Sequence, residues 1–500
     1  MNPRPLLESA LEAVAQWRGG RVLLLGDFMI DRALHGAAER LSPDAPVPVL
    51  AAKALEDASI TPGGAGNVAR CLRALGMEVT CVGLTGADSS GELLRGALRD
   101  CGCDVTGMVA DHDRPTTEKI SLVGLAQHRH PQKMFRIDLE SRSAPGAGVL
   151  EQLRTACERA LQGVDVVCIE DYGKGACGTS IVQWLIKTCR SRGIEVLVDP
   201  APIADYSPYR GATCITPNRS EAERATRSAT PIEPPPGHAA ALARTLRTAH
   251  ELDVVLVTLD RHGALLDTGG SPQTIPTQAR LVYDVTGAGD MVLAALAAAR
   301  LNGLGWPEAT AFANTAAGLE VEVFGAQPIP LTSVRRELLR LTQGASAKVR
   351  PMAELMPELD ALRSTRRIVL TNGCFDVIHA GHVAYLREAR ALGDTLVVGI
   401  NSDSSVRQIK GDSRPTFPQA DRAEVLAEMA SVDFVVIFNE PTAHELIRAV
   451  RPAIYAKGGD YLGREVREAD LLEELGIECR LLAHVAGRSS TEVLARMRGE

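Results

Sequence analysis

Two short strings hold the residues best placed to do chemistry. In DVTGAGDMVLAALAAARL, residues 284 to 301, Gly287, Ala288 and Gly289 stand immediately before a long Ala/Leu-rich stretch. Backbone amides at a helix start attract an anion, and glycines let a phosphate approach closely. Asp290 is an acid placed where an attacking hydroxyl would meet that phosphate. The string predicts phosphoryl transfer to an alcohol; the competing reading is a plain glycine turn capped by Thr286 or Asp290. In TNGCFDVIHAGHVAYLREAR, residues 371 to 390, His379 and His382 lie three apart at the entry to a helix that follows a strand and a glycine turn. Both rings can then face one anion. Zinc would want a third ligand and the i, i+4 spacing of HExxH, which is missing, and a capping or packing pair is the third reading.

The elements that must position these residues have the rhythm of a largely parallel α/β sheet. Apolar runs at Val22 to Leu25, Val79 to Val82, Val164 to Ile169, Glu195 to Val198 and Val254 to Thr258 alternate with helical stretches. Residues 114 to 140 alternate without helical period and carry many charges, which predicts a small exposed sheet or flap beside the main one, able to cover a ligand. A helix over Leu331 to Leu341 leads into a mixed segment, Gln343 to Leu359, read as a linker. The strand, turn, helix, strand order restarts at Arg367, with further strands at Phe434 to Phe438 and Ala453 to Ala456. The expected domains are 1–335, a linker 336–362, and a smaller α/β domain 363–500.

Composition narrows the function classes. The 500 residues, 45% hydrophobic and 23% charged, are globular in balance, and 54 Lys+Arg against 62 Asp+Glu with 4% aromatics supply neither the field nor the stacking platforms of a nucleic-acid binder. Eleven scattered cysteines without a CxxC predict neither a zinc site nor a disulfide framework, and so a reducing compartment. Glu8 and Glu12 interrupt the N-terminus where a signal peptide would be apolar, and no stretch is long enough to span a membrane. The expectation is a cytoplasmic protein of small-molecule partners, with no nucleic-acid or membrane partner.

Three more strings fall in order with DVTGAGD: GDFMIDRALHG at 26 to 36, GGAGNVA at 63 to 69 and TPNRSEA at 216 to 222. Together they resemble the ribokinase-like carbohydrate kinases over about residues 20 to 330. The resemblance implies that Asp290 takes the proton from a sugar hydroxyl and that the Gly287, Ala288 and Gly289 amides hold the developing anion. It implies that Asp31, Gly64 and Asn67 touch the sugar, and that Asn218 and Glu221 organise Mg2+ and the phosphates of ATP. TLDRHGALL, 258 to 266, is similar to a nucleotide-side TxGxxG turn, with Asp260 where a glycine is usual. GAGNVA alone also fits a dinucleotide fingerprint, but Ser59 to Pro62 reads as no strand and Glu78 opens the next strand instead of closing it. YGKG at 172 to 175 lacks the spacing and Ser/Thr of a Walker loop; DYGKG reads as a strand end at the ligand edge of the sheet.

The second half resembles the HxGH nucleotidyltransferases of the cytidylyltransferase-like type, through His379 and His382, KGDSRP at 410 to 415, KGGDY at 457 to 461 and GRSSTEVLARMR at 487 to 498. In such enzymes an oxyanion attacks the α-phosphorus of a nucleoside triphosphate and no protein nucleophile is needed. The resemblance implies that the two histidines donate to the α-phosphate, that Ser490 and Thr491 hold the β and γ phosphates, and that Lys410 and Lys457 add charge. Arg488 stands where a hydrophobic residue is usual. No metal ligand set is read from the protein itself. The whole predicts a carbohydrate kinase fused to a nucleotidyltransferase, acting on sugar phosphates and ATP as a homodimer; the alternatives are another sugar or polyol kinase with a cytidylyltransferase, or a nucleotide-binding sensor. For a sugar that already carries a phosphate, Lys119, Lys133 and Arg136 are candidate clamps, against the reading of solvated lid charges.

Overall fold

The structure is a computed structural model that describes residues 3–52, 54, 58–125, 131–230, 232–277, 284–323, 325–363, 366–458 and 466–482. The chain forms two compact units, Met1–Leu338 and Leu339–Glu500. The first is built on a nine-stranded sheet in the order Gln273–Ile275, Ala264–Asp267, Val254–Thr258, Cys214–Ile215, Glu195–Asp199, Val166–Glu170, Arg21–Gly26, Glu78–Gly86, Asp104–Asp111. Its central strands are parallel, and the strand Val166–Glu170 is buried at every residue, as continuous apolar runs demand when helices cover both faces. The register sets Gly26, Glu170 and Asp199 side by side at the carboxyl ends of three neighbouring strands. The helix Ala288–Leu301 is buried without a break from Asp290 to Ala299. Over that stretch, after Asp290, it is apolar on every face, so it runs through the interior with its N-terminus at the active edge.

The charged segment does form the expected flap, but a larger one. A second sheet runs Pro48–Ala51, Phe28–Leu41, Glu118–Leu125, Gln132–Leu139, with Ser59–Gly64 paired antiparallel to the first half of Phe28–Leu41. Ser59 to Pro62 therefore lies in a strand, against the sequence reading, because its partner is the flap and no alternating apolar signal is required there. The pairing still denies the dinucleotide reading, which needs a parallel strand of the central sheet before the first glycine.

The second unit has a five-stranded, wholly parallel sheet in the order Phe434–Phe438, Thr395–Asn401, Ile368–Gly373, Ile454–Lys457, Glu478–Leu481. The segment expected to be a linker is mostly regular: the helix Leu331–Gln343, a 3-10 turn Gly344–Lys348 and the helix Met352–Leu362. Pro351 and Pro357 hide this last helix in the sequence, yet Leu355 and Leu359, four apart on one face, are fully buried in the same core as Leu370 and Val397. Among the described residues no helix is long and apolar enough to cross a membrane.

Candidate functional site

In the first unit the chemistry gathers where the Ala288–Leu301 helix begins. Gly287 caps it at φ +94°, a conformation that favours glycine, and a Cβ there would stand 2.6 Å from Glu320 Oε1 and 2.9 Å from Asn67 Nδ2. Gly64, at φ +56°, is equally constrained, since a Cβ would meet the Asp27 carbonyl at 2.7 Å. Asp290 is buried; its Oδ2 accepts from Asn67 Nδ2 at 2.8 Å and its Oδ1 from the Tyr172 hydroxyl at 3.0 Å. Burial pushes its pKa up to about 6, against the pull of those two donors. A carboxylate so held is still ionised near neutral pH and is more basic than an exposed one, which suits proton abstraction. Tyr172 is fixed in turn by Asp27, whose carboxylate accepts the Tyr172, Lys174 and Ala176 amides at 2.8 to 3.0 Å.

Asp31 projects from the flap strand Phe28–Leu41. Burial raises its pKa, while Lys119, Lys133, Arg136 and Arg70 pull it down, so four cations surround this carboxylate. Lys119 Nζ sits 4.8 Å over the Tyr172 ring, and Lys133 Nζ reaches Thr286 Oγ1 at 3.1 Å and Asp284 Oδ2 at 3.3 Å. Asn218 and Glu221 cap their own helix reciprocally: the Glu221 amide donates to Asn218 Oδ1 at 3.0 Å and the Asn218 amide to Glu221 Oε2 at 2.9 Å. The Glu221 charge also bears on Asp199. Glu170, Asp199 and Asp290 each bring an oxygen within 4.8 Å of the others. Burial and mutual repulsion push Glu170 and Asp199 well above the carboxylate range, and the buried Glu170 Oε2 has no hydrogen-bond partner. Buried carboxylates left in this state are suited to receive a cation.

In the second unit His379 is the N-cap of the Ala380–Ala391 helix and His382 the third helical residue. Their ring centroids lie 4.0 Å apart, and the His379 amide donates to His382 Nδ1 at 3.4 Å. The capping reading and the anion reading are thus compatible: the pair shapes a helix start whose amides attract phosphate. Lys457, buried at the end of Ile454–Lys457, donates to Asn372 Oδ1 at 2.7 Å, an oxygen that also accepts from the Tyr455 hydroxyl at 2.6 Å. Burial lowers the Lys457 ammonium pKa, with Glu468 opposing. Lys410 is exposed at the end of Asp403–Lys410, and its charge, with those of Arg422 and Lys457, acts on Cys374 in the turn before the histidines. That turn is tied down by Arg422, which donates to the Cys374 carbonyl, the Phe417 carbonyl and Asp403, and by the Arg414–Asp376 ion pair. Ser490, Thr491 and Arg488 lie outside the described residues.

Sequence reasoning did not single out Glu170, Asp199, Glu320, Arg70 or Asn372, nor give Tyr172 a role. A signal existed for some of them: DYGKG and VDP both close predicted strands, and ligands collect at the carboxyl ends of parallel strands.

Fold and site define a class, a carbohydrate kinase followed by a nucleotidyltransferase. Residues 21–333 match the pfkB family carbohydrate kinase model and residues 370–496 the cytidylyltransferase-like model. Escherichia coli phosphofructokinase-2 superposes on 65% of this chain and all of its own with a TM-score of 0.54 at 18% identity, a likeness of fold alone. Two of the similar relatives cover nearly the full length. The bifunctional protein HldE of Geobacter metallireducens is 40% identical over 485 residues, 97% of this chain and 96% of its own; that of Pseudomonas paraeruginosa is 41% identical over 480 residues, 95% and 97%. The chain belongs to the family of bifunctional HldE proteins. It is an ATP-using transferase with two activities.

Proposed function

We propose that this enzyme performs two separated steps of ADP-heptose synthesis, between which a separate phosphatase hydrolyses the 7-phosphate to inorganic phosphate. In the first unit, Asp290 takes the proton from the anomeric hydroxyl of heptose 7-phosphate. The sugar oxygen bonds the γ-phosphorus of ATP as the bond to the β–γ bridging oxygen breaks, and ADP leaves with heptose 1,7-bisphosphate. The observation that carries this reading is Asp290 itself, buried at a glycine-capped helix start between Asn67 and Tyr172 and facing Asp31. Asp31, Gly64 and Asn67 line the sugar side, and the cations Lys119, Lys133, Arg136 and Arg70 around Asp31 supply what a substrate already bearing a phosphate needs. The amides of Gly287, Ala288 and Gly289 cradle the transferred group.

Mg2+ fits the first unit: Glu170 and Asp199 would hold it, since Glu170 Oε2 is buried and unpartnered while both Asp290 oxygens are committed to donors. Mg2+ neutralises phosphate charge when bound. Asn218 and Glu221 border that place by way of Asp199. In the second unit, a phosphate oxygen of heptose 1-phosphate attacks the α-phosphorus of ATP and pyrophosphate departs. His379 and His382 donate to the α-phosphate, Lys410 and Lys457 balance charge, and Ser490 and Thr491 take the β and γ phosphates. ADP-heptose is a precursor of the lipopolysaccharide core.

The two units are assigned as independent domains, at about 1–335 and 363–500. A homodimer is supported by the exposed apolar row Phe135, Ile137 and Leu139 on one face of the flap's edge strand. Eleven cysteines, all free thiols, support a cytoplasmic setting. The test is a substrate screen on the full chain: heptose 7-phosphate phosphorylated with ATP, and heptose 1-phosphate joined to AMP from ATP. Turnover of CTP in place of ATP at the second step, or of a polyol in place of the heptose, would move the assignment to another kinase and cytidylyltransferase pair.

A further inference from the structure

Glu320 closes the Trp306–Glu320 helix and takes no part in the steps above. It is 1% exposed, and neither carboxyl oxygen has a hydrogen-bond partner. Its Oε1 and Asn67 Nδ2 border the same point, the place a Gly287 side chain would fill. An acid with no well-formed hydrogen bond therefore sits directly behind the glycine that opens the proposed phosphate cradle, close enough to the Asn67 amide that holds Asp290 for that amide to pull the acid's pKa down. Asn67 is shared: its Nδ2 donates to Asp290 at 2.8 Å and its Oδ1 accepts from Arg70 Nη1 at 3.3 Å. A carboxamide nitrogen has two hydrogens, so Asn67 can also answer Glu320, with which it now makes no well-formed bond.

We propose that Glu320 is a positioning residue that sets the alkaline limit of the kinase step. As the neutral acid it leaves Asn67 to Asp290 and keeps negative charge away from the cradle. As a carboxylate it draws the Asn67 amide and opposes the incoming phosphoryl group. This rests on the kinase reading of the site.

The groups facing Glu320 are Arg70 and the Cys71 thiol on the Ala65–Ala74 helix, Asp290 on the Ala288–Leu301 helix, and Asp284 before it. Burial, then the Asp290 charge, hold Glu320 up to about 8, with Asn67 and Arg70 pulling the other way. The acid is thus neutral below about pH 8 and ionised above it, where Asp290 is already a carboxylate. Activity that requires the neutral form falls about tenfold per pH unit beyond that point.

The experiment measures kcat and KM of sugar phosphorylation against pH for the wild type and Glu320→Gln, with adenylyl transfer by the same samples as a control for folding. We expect the wild-type kcat to fall through about pH 8, with KM for ATP nearly constant, and Glu320→Gln to hold within about twofold across that range. An unchanged alkaline decline in Glu320→Gln overturns the proposal. Infrared difference spectra between the two proteins give a second readout: a carboxylic acid C=O band present at neutral pH and lost above about 8 is expected, and its absence at neutral pH overturns it. A wild type that phosphorylates no sugar phosphate but shows the band would sink the kinase reading, and the role with it. A kinase whose decline survives Glu320→Gln sinks the role alone.

Discussion

Replacing Asp290 by Asn tests function and stability together. Asp290 carries its charge in the interior, and burial lifts its pKa from the ordinary 3.8 to about 6. A folded-state value above the unfolded one means that ionisation disfavours the fold. The cost is absent below about pH 4, grows as pH rises through about 6, and is then complete. At about 1.4 kcal/mol per pH unit the full cost is about 3 kcal/mol near pH 7, and about half of that near pH 5. Asn keeps the shape and removes the charge, so Asp290→Asn should be more stable than the wild type by up to about 3 kcal/mol at neutral pH. Tyr172 and Asn67 now donate to two carboxylate oxygens, whereas Asn offers one oxygen; with that oxygen on Asn67, the new amide nitrogen must donate to the Tyr172 hydroxyl, and the exchange returns part of that gain, about 1 kcal/mol. The same change removes the base and should lower sugar phosphorylation by about 10²- to 10⁴-fold while leaving adenylyl transfer intact. The assays are urea unfolding near pH 7 and pH 5, and single-step kinetics of each activity. A stability gain that does not shrink toward pH 5 would refute the buried-charge argument. Kinase turnover near the wild-type rate would refute the base.

Tyr172→Phe removes a donor that holds the Asp290 pKa down, so the acid limb of the kinase pH profile should move above 6, by about one unit for a charge-assisted hydrogen bond. A limb that stays in place or moves to lower pH would contradict the geometry. His379→Ala and His382→Ala should each cut adenylyl transfer about 10²- to 10³-fold, with a smaller loss of ATP affinity and no change in sugar phosphorylation; stoichiometric zinc in the wild type, released by either change, would revive the metal reading. Fragments 1–338 and 339–500, cut where the two compact units meet, should be soluble with one activity each. Activity assays on folded fragments decide this, and loss of both activities would show shared sites.

The strings proposed to bind phosphate stood out in the sequence because their physics is local: a helix start, glycines and one titratable residue fit within a few positions of sequence. Asp260 shows the same locality, since the position where a glycine is usual does adopt φ +49°. Glu320 was not legible because nothing near it in sequence marks it, and Glu170 and Asp199 carried only the weak signal of strand ends at DYGKG and VDP; the register of parallel strands and the path of a helix bring all three to Asp290. The helix Met352–Leu362 was lost behind two prolines, one of which only precedes its first residue. Ser59–Gly64 was lost because a flap strand gains its stability from pairing with Phe28–Leu41, which no apolar pattern announces.

Both sites handle phosphates, yet they manage charge in opposite ways, and this gives a physical reason for two units. The kinase edge gathers Asp27, Glu170, Asp171, Asp199 and Asp290; burial raises the pKa of each, and neighbouring carboxylates add to it at all but Asp27, Asp171 reaching about 6. Such a cluster welcomes cations and yields a base that is still strong near neutrality. The transferase turn has the reverse balance: Lys410, Arg422 and Lys457 act on it, and burial weakens the Lys457 ammonium until an anion arrives. That step needs no base, because a phosphate oxygen is already an anion. The acids at that turn, Asp376 and Asp403, are held by Arg414 and Arg422, so they oppose the nucleophile less than free ones would, and cations beside Asp290 beyond Lys119 would pull its pKa lower and weaken it as a base. One cradle could not meet both demands, whereas two sheets, each ending its strands at its own helix start, can.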